Sequence, residues 1–302
     1  MRTIAVTNSK GGSAKTTTTV NLGAALGELG YRVLVIDLDP QGSASAWLGV
    51  EGETEGVAEA IEGRRPLAEL LYETTAPGVV LVAASPTLVV SDPKEETRIA
   101  LGFMRAMDRL PALWDVVLVD CPPSLGYLAI APLSVCGEVL IPVEAHVLAV
   151  TGLGAMLETI ARVQRRLNPS LRLTSVLACR VNRTTHAREI VARLQEQFGD
   201  SFMTTSVRDS IRLAEAPSVH LPITLYASKS AGAEDYRAVA RELMTGWPAP
   251  TTRPSVTIEL EPTVRVGPGT VEAGARSRLG RLADAVTGGR GQEPDTADGP
   301  DS

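Results

Sequence analysis

Residues 9–17 read Ser9-Lys10-Gly11-Gly12-Ser13-Ala14-Lys15-Thr16-Thr17, between a short apolar run and a helical pattern. The apolar run, Ile4–Thr7, predicts a strand, and Thr17–Leu29 carries apolar residues at helical spacing. A glycine-containing turn between a strand and a helix brings backbone N–H groups together at the positive end of the helix. The segment therefore predicts a phosphate-binding loop at the start of the chain.

Two side chains of this loop have chemistry of their own. Lys15 supplies a full positive charge to the β- and γ-phosphates of a nucleotide, and the Thr16 hydroxyl is placed to bind Mg²⁺. The general pattern G-x-x-x-x-G-K-[ST] is not met, because Ser9 and Ala14 occupy its glycine positions. The pattern present is K-G-G-x-x-K-[ST]-T, with a second lysine at Lys10.

The rest of the chain alternates between short apolar runs and helical patterns. Such alternation predicts an α/β fold: a mostly parallel, twisted sheet with right-handed crossovers and helices on both faces. With 4% aromatic residues, the core must be aliphatic, as in a parallel sheet covered on both sides. The further strands are predicted at Val33–Ile36, Val79–Ala83, Val116–Val119, Val139–Val143 and Ser175–Cys179. The further helices are predicted at Glu95–Leu110, Gly152–Leu167, Ala187–Phe198 and about Ala233–Thr245.

Composition divides the chain at about residue 247. We expect residues 1–246 to form one P-loop domain and residues 247–302 to form a flexible, disordered Pro/Gly-rich acidic tail. Within the tail, Ala273–Ala285 could form one short helix.

The bulk numbers restrict the class of protein. A net charge of −6 argues against general coating of nucleic acid but allows a local basic surface. The three cysteines form no CxxC pair, which indicates buried thiols in a reducing compartment. No secretory segment is present at the N-terminus, and the longest apolar run, Val79–Val90, is too short to span a bilayer. We expect a cytoplasmic protein with no stable membrane insertion.

Three aspartates follow predicted strands. Asp37 and Asp39 end the second strand, and Asp120 ends the apolar run that begins at Trp114. The carboxyl ends of parallel strands are where open α/β sheets bind ligands. A carboxylate held by a buried strand can stand near a bound metal ion, which assigns such a role to Asp120.

The loop pattern resembles the deviant Walker A loop of the ParA/MinD family of ATPases, and the resemblance covers about Met1–Met244. The segment Val207–Ser218, with its sequence R-L-A-E-A-P-S, is similar to the ParA/Soj branch. The resemblance implies a P-loop fold that binds ATP and Mg²⁺. The residues implied in ATP binding are Gly11, Gly12, Ser13, Ala14, Lys15, Thr16, Thr17 and, for adenine, Asn182. The residues implied in metal binding are Thr16, Asp37 and Asp120.

The resemblance also implies roles in catalysis. Asp39 would orient the attacking water, Asp37 would lie in the outer shell of Mg²⁺, and Lys15 would hold the phosphates. Lys10 would reach across a two-fold interface to the partner's nucleotide, so that a homodimer forms with ATP. The family usually has Gly where this chain has Ala14, and a left-handed backbone at that position would strain an alanine.

The implied function is a slow, partner-stimulated ATP hydrolase that binds DNA without sequence preference and is nucleoid-associated. Between Arg162 and Glu189 the chain has seven arginines and one acid, the composition of a phosphate-binding stripe. Arg183 and Arg212 align with the DNA-contacting arginines of the family. A ParB-like or other cargo adaptor would be the stimulating partner, and chromosome or plasmid partitioning the outcome.

Two other functions remain open. A MinD-like membrane-associated or other cargo-positioning ATPase would need a basic amphipathic helix, for which Arg276–Leu282 is the candidate. An iron–sulfur reductase component of the same superfamily would need cysteines at a dimer axis, for which Cys121 and Cys136 are the candidates.

Overall fold

The computed structural model describes residues 1–51, 55–88, 93–124 and 126–250. Within these residues, seven strands form one sheet in the order β3-β4-β2-β5-β1-β6-β7. Every neighbouring pair is parallel except β3 and β4. The strands are β1 Arg2–Val6, β2 Val33–Asp37, β3 Leu71–Glu73, β4 Val79–Val82, β5 Val116–Asp120, β6 Glu138–Glu144 and β7 Arg172–Cys179.

All six predicted strands are confirmed, with ends that differ by three residues or fewer. The strand that sequence patterns missed is β3, which has only three residues and lies at the sheet edge. A run of that length cannot show the alternation by which half-buried strands are recognised.

Ten helices pack on the sheet within the described residues. They are α1 Lys15–Glu28, α2 Ser43–Trp47, α3 Val57–Ile61, α4 Pro93–Asp108, α5 Tyr127–Val135, α6 Val147–Arg166, α7 Thr185–Phe198, α8 Ile211–Glu215, α9 Ile223–Tyr226 and α10 Ala231–Leu243. The five predicted helices correspond to α1, α4, α6, α7 and α10. Four of the others, α2, α3, α8 and α9, have five residues or fewer and are too short to show a helical period. The fifth, α5, contains Pro132 and is apolar on all sides, so its sequence shows no amphipathic period either.

The sheet has an aliphatic core on each face, as its composition predicts. One core packs α3, α4, α5 and α6 onto alternate strand residues such as Leu34 and Val117. The other packs α1 and α10 onto Val35 and Leu118. Every residue of β2 and β5 is buried, which fits central strands covered on both faces.

The strand order brings three loops to one edge of the sheet. Asp120, the last residue of β5, is paired in register with Val6 on β1 and with Asp37 on β2. The loops that follow these three strands therefore start side by side at the carboxyl edge. This is the edge at which open parallel sheets bind ligands.

The described chain ends on the opposite, amino edge. The guanidinium of Arg2 lies 5.4 Å from the ring centre of Trp247, and the Tyr31 hydroxyl donates to the carbonyl of Pro248 at 3.3 Å. The predicted tail beyond residue 250 and the predicted helices Ala273–Ala285 and Arg276–Leu282 lie outside the described residues. No helix in the described ranges has both the length and the apolar character needed to cross a bilayer.

Candidate functional site

The loop from Ser9 to Ala14 joins β1 to α1 and turns through two left-handed residues. Gly12 has φ +73°, and Ala14, the N-cap of α1, has φ 67° and ψ 22°. The Ala14 carbonyl then accepts the first helical hydrogen bond, from Thr18 N–H at 2.8 Å. An L-residue in this region costs roughly 1–2 kcal/mol, so the loop carries strain where glycine would have none.

Lys15 lies inside the loop rather than on its surface. Its residue exposure is 6%, and its Nζ donates to the backbone carbonyl of Lys10 at 3.1 Å. Burial lowers the pKa of Lys15, and the negative charge of Asp120 opposes that shift. The Lys15 ammonium is buried, lies near a carboxylate and points into its own loop. It is therefore placed to exchange the Lys10 carbonyl for a phosphate oxygen.

Asp120 ties β5 to the first turns of α1. Its Oδ2 accepts from the Thr16 hydroxyl at 2.7 Å, and its Oδ1 accepts from the Thr19 hydroxyl at 2.9 Å. The carboxyl is fully buried, and burial, together with the charge of Asp37, raises its pKa to about 8. The structure thus places two predicted metal-site residues, Thr16 and Asp120, in direct contact.

Asp37, the third predicted metal-site residue, is fully buried on the neighbouring strand. One of its oxygens accepts from both the backbone N–H and the hydroxyl of Ser45, each at 2.8 Å. Its other oxygen accepts from the Asp39 N–H at 3.2 Å, and burial raises its pKa to about 6. Asp37 therefore orders the segment that leads into α2.

Asp39 has a different environment from Asp37, although the two are only two positions apart. Its Oδ1 accepts from the Gln41 N–H at 3.0 Å, and the residue lines a cavity beside the loop. The carboxylate is therefore held in place while facing space that a ligand can enter.

This cavity has a volume of about 670 Å³ and two walls. The loop from Gly11 to Thr17 forms one wall, together with Asp39. The other wall comes from a later part of the chain and includes Cys179, Arg180, Arg208, Leu213, Pro217 and Tyr236. The Tyr236 and Thr18 hydroxyls lie 3.3 Å apart behind it. The volume is within the range of small-molecule and cofactor sites.

The site fits a phosphate-bound Mg²⁺. The Ser13 hydroxyl is buried in the loop without a hydrogen-bond partner among the described residues, which leaves it for a ligand. In the same ranges, no three His, Cys, Asp or Glu side chains converge as a metal cage. Mg²⁺ is usually held by one or two protein oxygens plus water and phosphate, and Thr16, Asp120 and Asp37 supply such a set.

Lys10, in contrast, precedes the cavity-lining residue Gly11 but does not line the cavity, and its side chain is 43% exposed. Its Nζ is 3.5 Å from Glu144, which also accepts from Arg180 at 2.8 Å. Arg180 has φ 52° and contacts Asp209 as well, at 3.7 Å. The role of Lys10 across a dimer interface stays a prediction, since one chain is described.

Asn182 does not line the cavity. It is exposed, and its Oδ1 accepts from the Thr184 N–H at 3.2 Å and from the Thr184 hydroxyl at 2.6 Å. Its predicted role in reading adenine stays a prediction. Arg208, in contrast, does line the cavity, and its backbone N–H and guanidinium donate to Asp235 at 2.9 and 3.0 Å.

Sequence reasoning missed Arg208, Glu144 and Asp235. Arg208 belongs to a segment that the sequence did single out, so its position there was a usable signal. Glu144 and Asp235 have no local motif, because each acts through a partner far along the chain.

The predicted arginine stripe is divided between two edges of the sheet. Arg162, Arg165 and Arg166, near the end of α6, and Arg172, at the start of β7, lie at the amino edge. Arg180, Arg183 and Arg188 follow the end of β7. The eight residues of this strand span about 25 Å, which separates the two groups of arginines. Proximity in sequence is therefore not proximity in space for this set.

Arg183 and Arg212, the predicted DNA contacts, share the carboxyl edge. A bridge between Val181 and Arg208 joins their two segments, and both arginines are exposed. Arg212 pairs with Glu215 at 2.9 Å, whereas Arg183 has no ion pair or hydrogen bond within the described residues. Their contact with DNA stays a prediction.

Cys121 and Cys136 are fully buried and reduced. Burial raises the pKa of both thiols, that of Cys136 to about 12. Neither thiol is at the surface to share a cluster with a second subunit, which counts against the reductase alternative.

Known proteins match this chain over most of its length. A family profile described as "AAA domain" matches residues 1–173. The chromosome-partitioning ATPase Soj of Thermus thermophilus is 40% identical over 81% of this chain and 96% of its own. The chromosome partitioning protein ParA of Myxococcus xanthus is 36% identical over 80% and 88%.

A solved structure agrees with these sequence relatives. It is that of cobyrinic acid a,c-diamide synthase from Mycobacterium smegmatis with a bound ATP analogue and magnesium. That structure has a TM-score of 0.70 and 33% identity, and it covers 82% of this chain and 96% of its own.

Proposed function

Because the chain belongs to the ParA/MinD family of ATPases, with close similarity to ParA and Soj, we propose that it is an ATP-driven partitioning switch. In this proposal it binds ATP and Mg²⁺, dimerises, binds DNA without sequence preference, and moves chromosome or plasmid cargo with a ParB-like partner. The observation that carries the proposal is the cavity that joins the Gly11–Thr17 loop to Asp39 and to the buried Thr16–Asp120 pair.

The hydrolytic step depends on the placement of this chain's own groups. Lys15 releases the Lys10 carbonyl and binds phosphate oxygens, and Asp39 accepts a hydrogen bond from water and orients it. Thr16 and Asp120, with Asp37 behind them, would hold Mg²⁺, which would supply positive charge to the phosphates. In this proposal, turnover by the isolated protein is slow and rises when the partner protein binds.

Dimerisation depends on Lys10 changing its partner. In one chain its ammonium faces Glu144 at 3.5 Å, an exposed contact that contributes little stability. Facing a second subunit, it gains a triphosphate of higher charge, and the two-fold arrangement doubles that gain. Hydrolysis and phosphate release remove the charge partner, so the dimer opens.

DNA binding follows from pairing two basic surfaces. Arg183 and Arg212 lie on joined segments at the edge that carries the nucleotide cavity. One copy offers few phosphate contacts, but a dimer presents two sets at once and binds far more tightly. Binding is therefore expected to need ATP and to fall steeply with salt, because each neutralised phosphate releases condensed counterion.

A salt series of duplex DNA binding, followed by fluorescence anisotropy in ATP and in ADP, tests the proposal. Wild type is expected to bind any sequence in ATP and much more weakly in ADP. Arg183→Glu and Arg212→Glu are each expected to weaken binding while ATP-dependent dimerisation persists. Arg166→Glu, at the opposite edge of the sheet, is the matched control for charge reversal and is expected to bind like wild type.

Two results would contradict parts of the proposal. DNA binding that is equal in ATP and ADP would disconnect the switch from DNA. Normal dimerisation with no DNA binding would support the ATPase function but contradict DNA as its binding surface. A MinD-like membrane-associated ATPase would then be the alternative, and binding to anionic vesicles in the same assay would detect it. Stimulation of ATP turnover by an added ParB-like protein tests the partner.

A further inference from the structure

A second cavity lies between α3 and α4, apart from the nucleotide loop. Its volume is about 460 Å³, and Ile61, Glu62, Arg65, Pro66, Arg105 and Arg109 are among the residues that line it. Gly102 makes the approach of the two helices possible, since a Cβ there would stand 2.3 Å from the Ile61 carbonyl oxygen. The cavity is therefore formed by close helix packing rather than by a loose surface loop.

The charges of this cavity do not balance. Arg65 pairs with Glu55 and Glu69, and the lining carboxylate of Glu62 pairs with Arg64. Arg105 on α4 and Arg109, the first residue after that helix, are four positions apart and both exposed. Neither has an ion pair or hydrogen bond in the part of the chain that the structure describes. Two uncompensated guanidinium groups thus face one concave site on a chain whose net charge is −6.

We propose that this cavity binds an acidic segment of the same chain, Glu293–Asp301. After Arg290 the sequence reads G-Q-E-P-D-T-A-D-G-P-D-S, with four acids and no lysine or arginine. Carboxylates two or three residues apart match two guanidinium groups four positions apart, and Arg binds carboxylates with paired N–H donors. The apolar part of the wall, at Ile61 and Pro66, suits the proline and alanine between the acids.

The shape of the site favours a peptide over nucleic acid. DNA is bound by convex or extended basic surfaces that follow two phosphate strands. Here the two free arginines are in a pocket whose lining includes the Glu62 carboxylate and apolar side chains. A polyanion would meet that carboxylate, whereas a short acidic peptide can place its own side chains beside the arginines alone.

The connection between the two parts of the chain allows this contact. Pro250 packs against Gly30, at the amino edge where β2 begins, and α4 ends toward the same edge where β5 begins. About 40 residues separate Pro250 from Glu293, and a chain of that length can span well over 100 Å when extended. Covalent connection gives an effective concentration of about a millimolar, so a few exposed ion pairs are enough.

Hydrogen exchange on the full-length protein tests the contact. The comparison variant keeps the chain length and carries Glu293→Gln, Asp295→Asn, Asp298→Asn and Asp301→Asn. At low salt, amides of residues 60–66 and 102–109 are expected to exchange about fivefold faster in this variant than in wild type, as loss of two exposed ion pairs would give. Added salt is expected to remove the difference.

A charge exchange shows whether the two named partners meet. Arg105→Glu with Arg109→Glu is expected to abolish the protection. In that background, Glu293→Lys, Asp295→Lys, Asp298→Lys and Asp301→Lys together are expected to restore it. Arg188→Glu with Arg193→Glu, on exposed positions of α7, changes net charge equally and is expected to leave the protection intact.

Two outcomes would overturn the inference. Equal exchange at residues 60–66 in wild type and in the neutralised variant would show that the acidic segment does not occupy the pocket. If Arg105→Glu with Arg109→Glu instead weakens duplex DNA binding, while exchange is unaffected by the neutralised tail, the pocket is a nucleic-acid surface and the proposal is wrong.

Discussion

The Nζ of Lys15 donates a hydrogen bond to the backbone carbonyl of Lys10, 3.1 Å away, so the two lysines of the loop meet through one backbone group. Their side chains nevertheless have different surroundings. The ammonium of Lys15 is buried inside the loop, whereas that of Lys10 is solvent-accessible and faces Glu144. The same residue type can therefore serve two separate functions within six positions of the chain.

Replacing each lysine by alanine is expected to separate these functions. Lys15→Ala removes the charge inside the loop and should abolish ATP binding. Lys10→Ala should leave ATP affinity within about twofold, because an exposed charge outside the loop contributes little, but should prevent ATP-dependent dimerisation. Nucleotide titration and light scattering measure the two properties, and normal dimerisation of Lys10→Ala would refute the role of Lys10 across the interface.

Asp39→Ala is expected to slow ATP turnover by about a hundredfold or more while ATP-dependent dimers persist, because an oriented nucleophile is lost. The fold should survive, since within the described residues the carboxylate accepts a single hydrogen bond, from Gln41 N–H. Asp37→Ala is the informative contrast: it leaves the buried Ser45 N–H and hydroxyl without their acceptor and should lower the melting temperature. Steady-state turnover at the wild-type rate in Asp39→Ala would assign water orientation to another residue.

The left-handed residues of the loop give a pair of opposite stability changes. Ala14→Gly should raise the free energy of unfolding by about 1 kcal/mol, because glycine has no penalty at φ 67°. Gly12→Ala should lower it by about the same amount, since an added Cβ meets nothing within 4 Å and only the backbone at φ +73° is strained. Denaturant unfolding measures both, and changes of the same sign would contradict the strain explanation.

The buried Arg2–Glu138 pair is expected to make stability depend on acid pH. Burial would raise the pKa of Glu138, but hydrogen bonds and charge from Arg2 outweigh it and hold the pKa below its ordinary value. The pKa of Glu138 is lower in the folded state than in the unfolded state. The contribution of the pair to the free energy of unfolding is therefore complete above the unfolded-state pKa, and it is lost as the pH falls through the folded-state pKa.

Glu138→Gln should therefore cost about 3 kcal/mol at neutral pH and progressively less in acid, since it leaves the Arg2 guanidinium without its counter-charge. Urea unfolding measures the difference in the free energy of unfolding between wild type and Glu138→Gln. The series runs from neutral pH to below the pKa of the Glu138 carboxyl in the unfolded chain. Arg98→Gln, which breaks the exposed Arg98–Glu95 pair, is the control and should change stability by less than about 0.5 kcal/mol. A constant difference across this range would show that the pair is not the titrating element.

The sequence was sufficient for the loop, the sheet class and the three aspartates, because each is a local pattern at a strand end. Thr16, Asp37 and Asp120 meet because parallel strands end at one edge, a rule that needs no coordinates. The position of Ala14 as a departure from glycine was also visible, and its left-handed backbone is confirmed.

Contacts between distant segments were not predictable in this way. Glu144 joins Lys10 and Arg180, and Asp235 joins Arg208, through pairs that no periodicity or motif connects. The seven arginines from 162 to 188 form one cluster in the linear sequence, but three of them follow β7 and lie at the other edge. Because β7 crosses the sheet from one edge to the other, arginines that are close in sequence are far apart in space.

Tyr236 on α10 forms part of the cavity wall and meets Thr18 on α1, so residues more than 200 positions apart enclose one binding site. During synthesis the ribosome releases the Lys10–Thr17 loop first and the opposite wall last. At 5–20 residues per second, this interval is about 10–45 s. An emerging chain therefore has a phosphate loop but no enclosed pocket, and nucleotide can stabilise the domain only after α10 has docked. ATP would in this way favour finished molecules over incomplete ones.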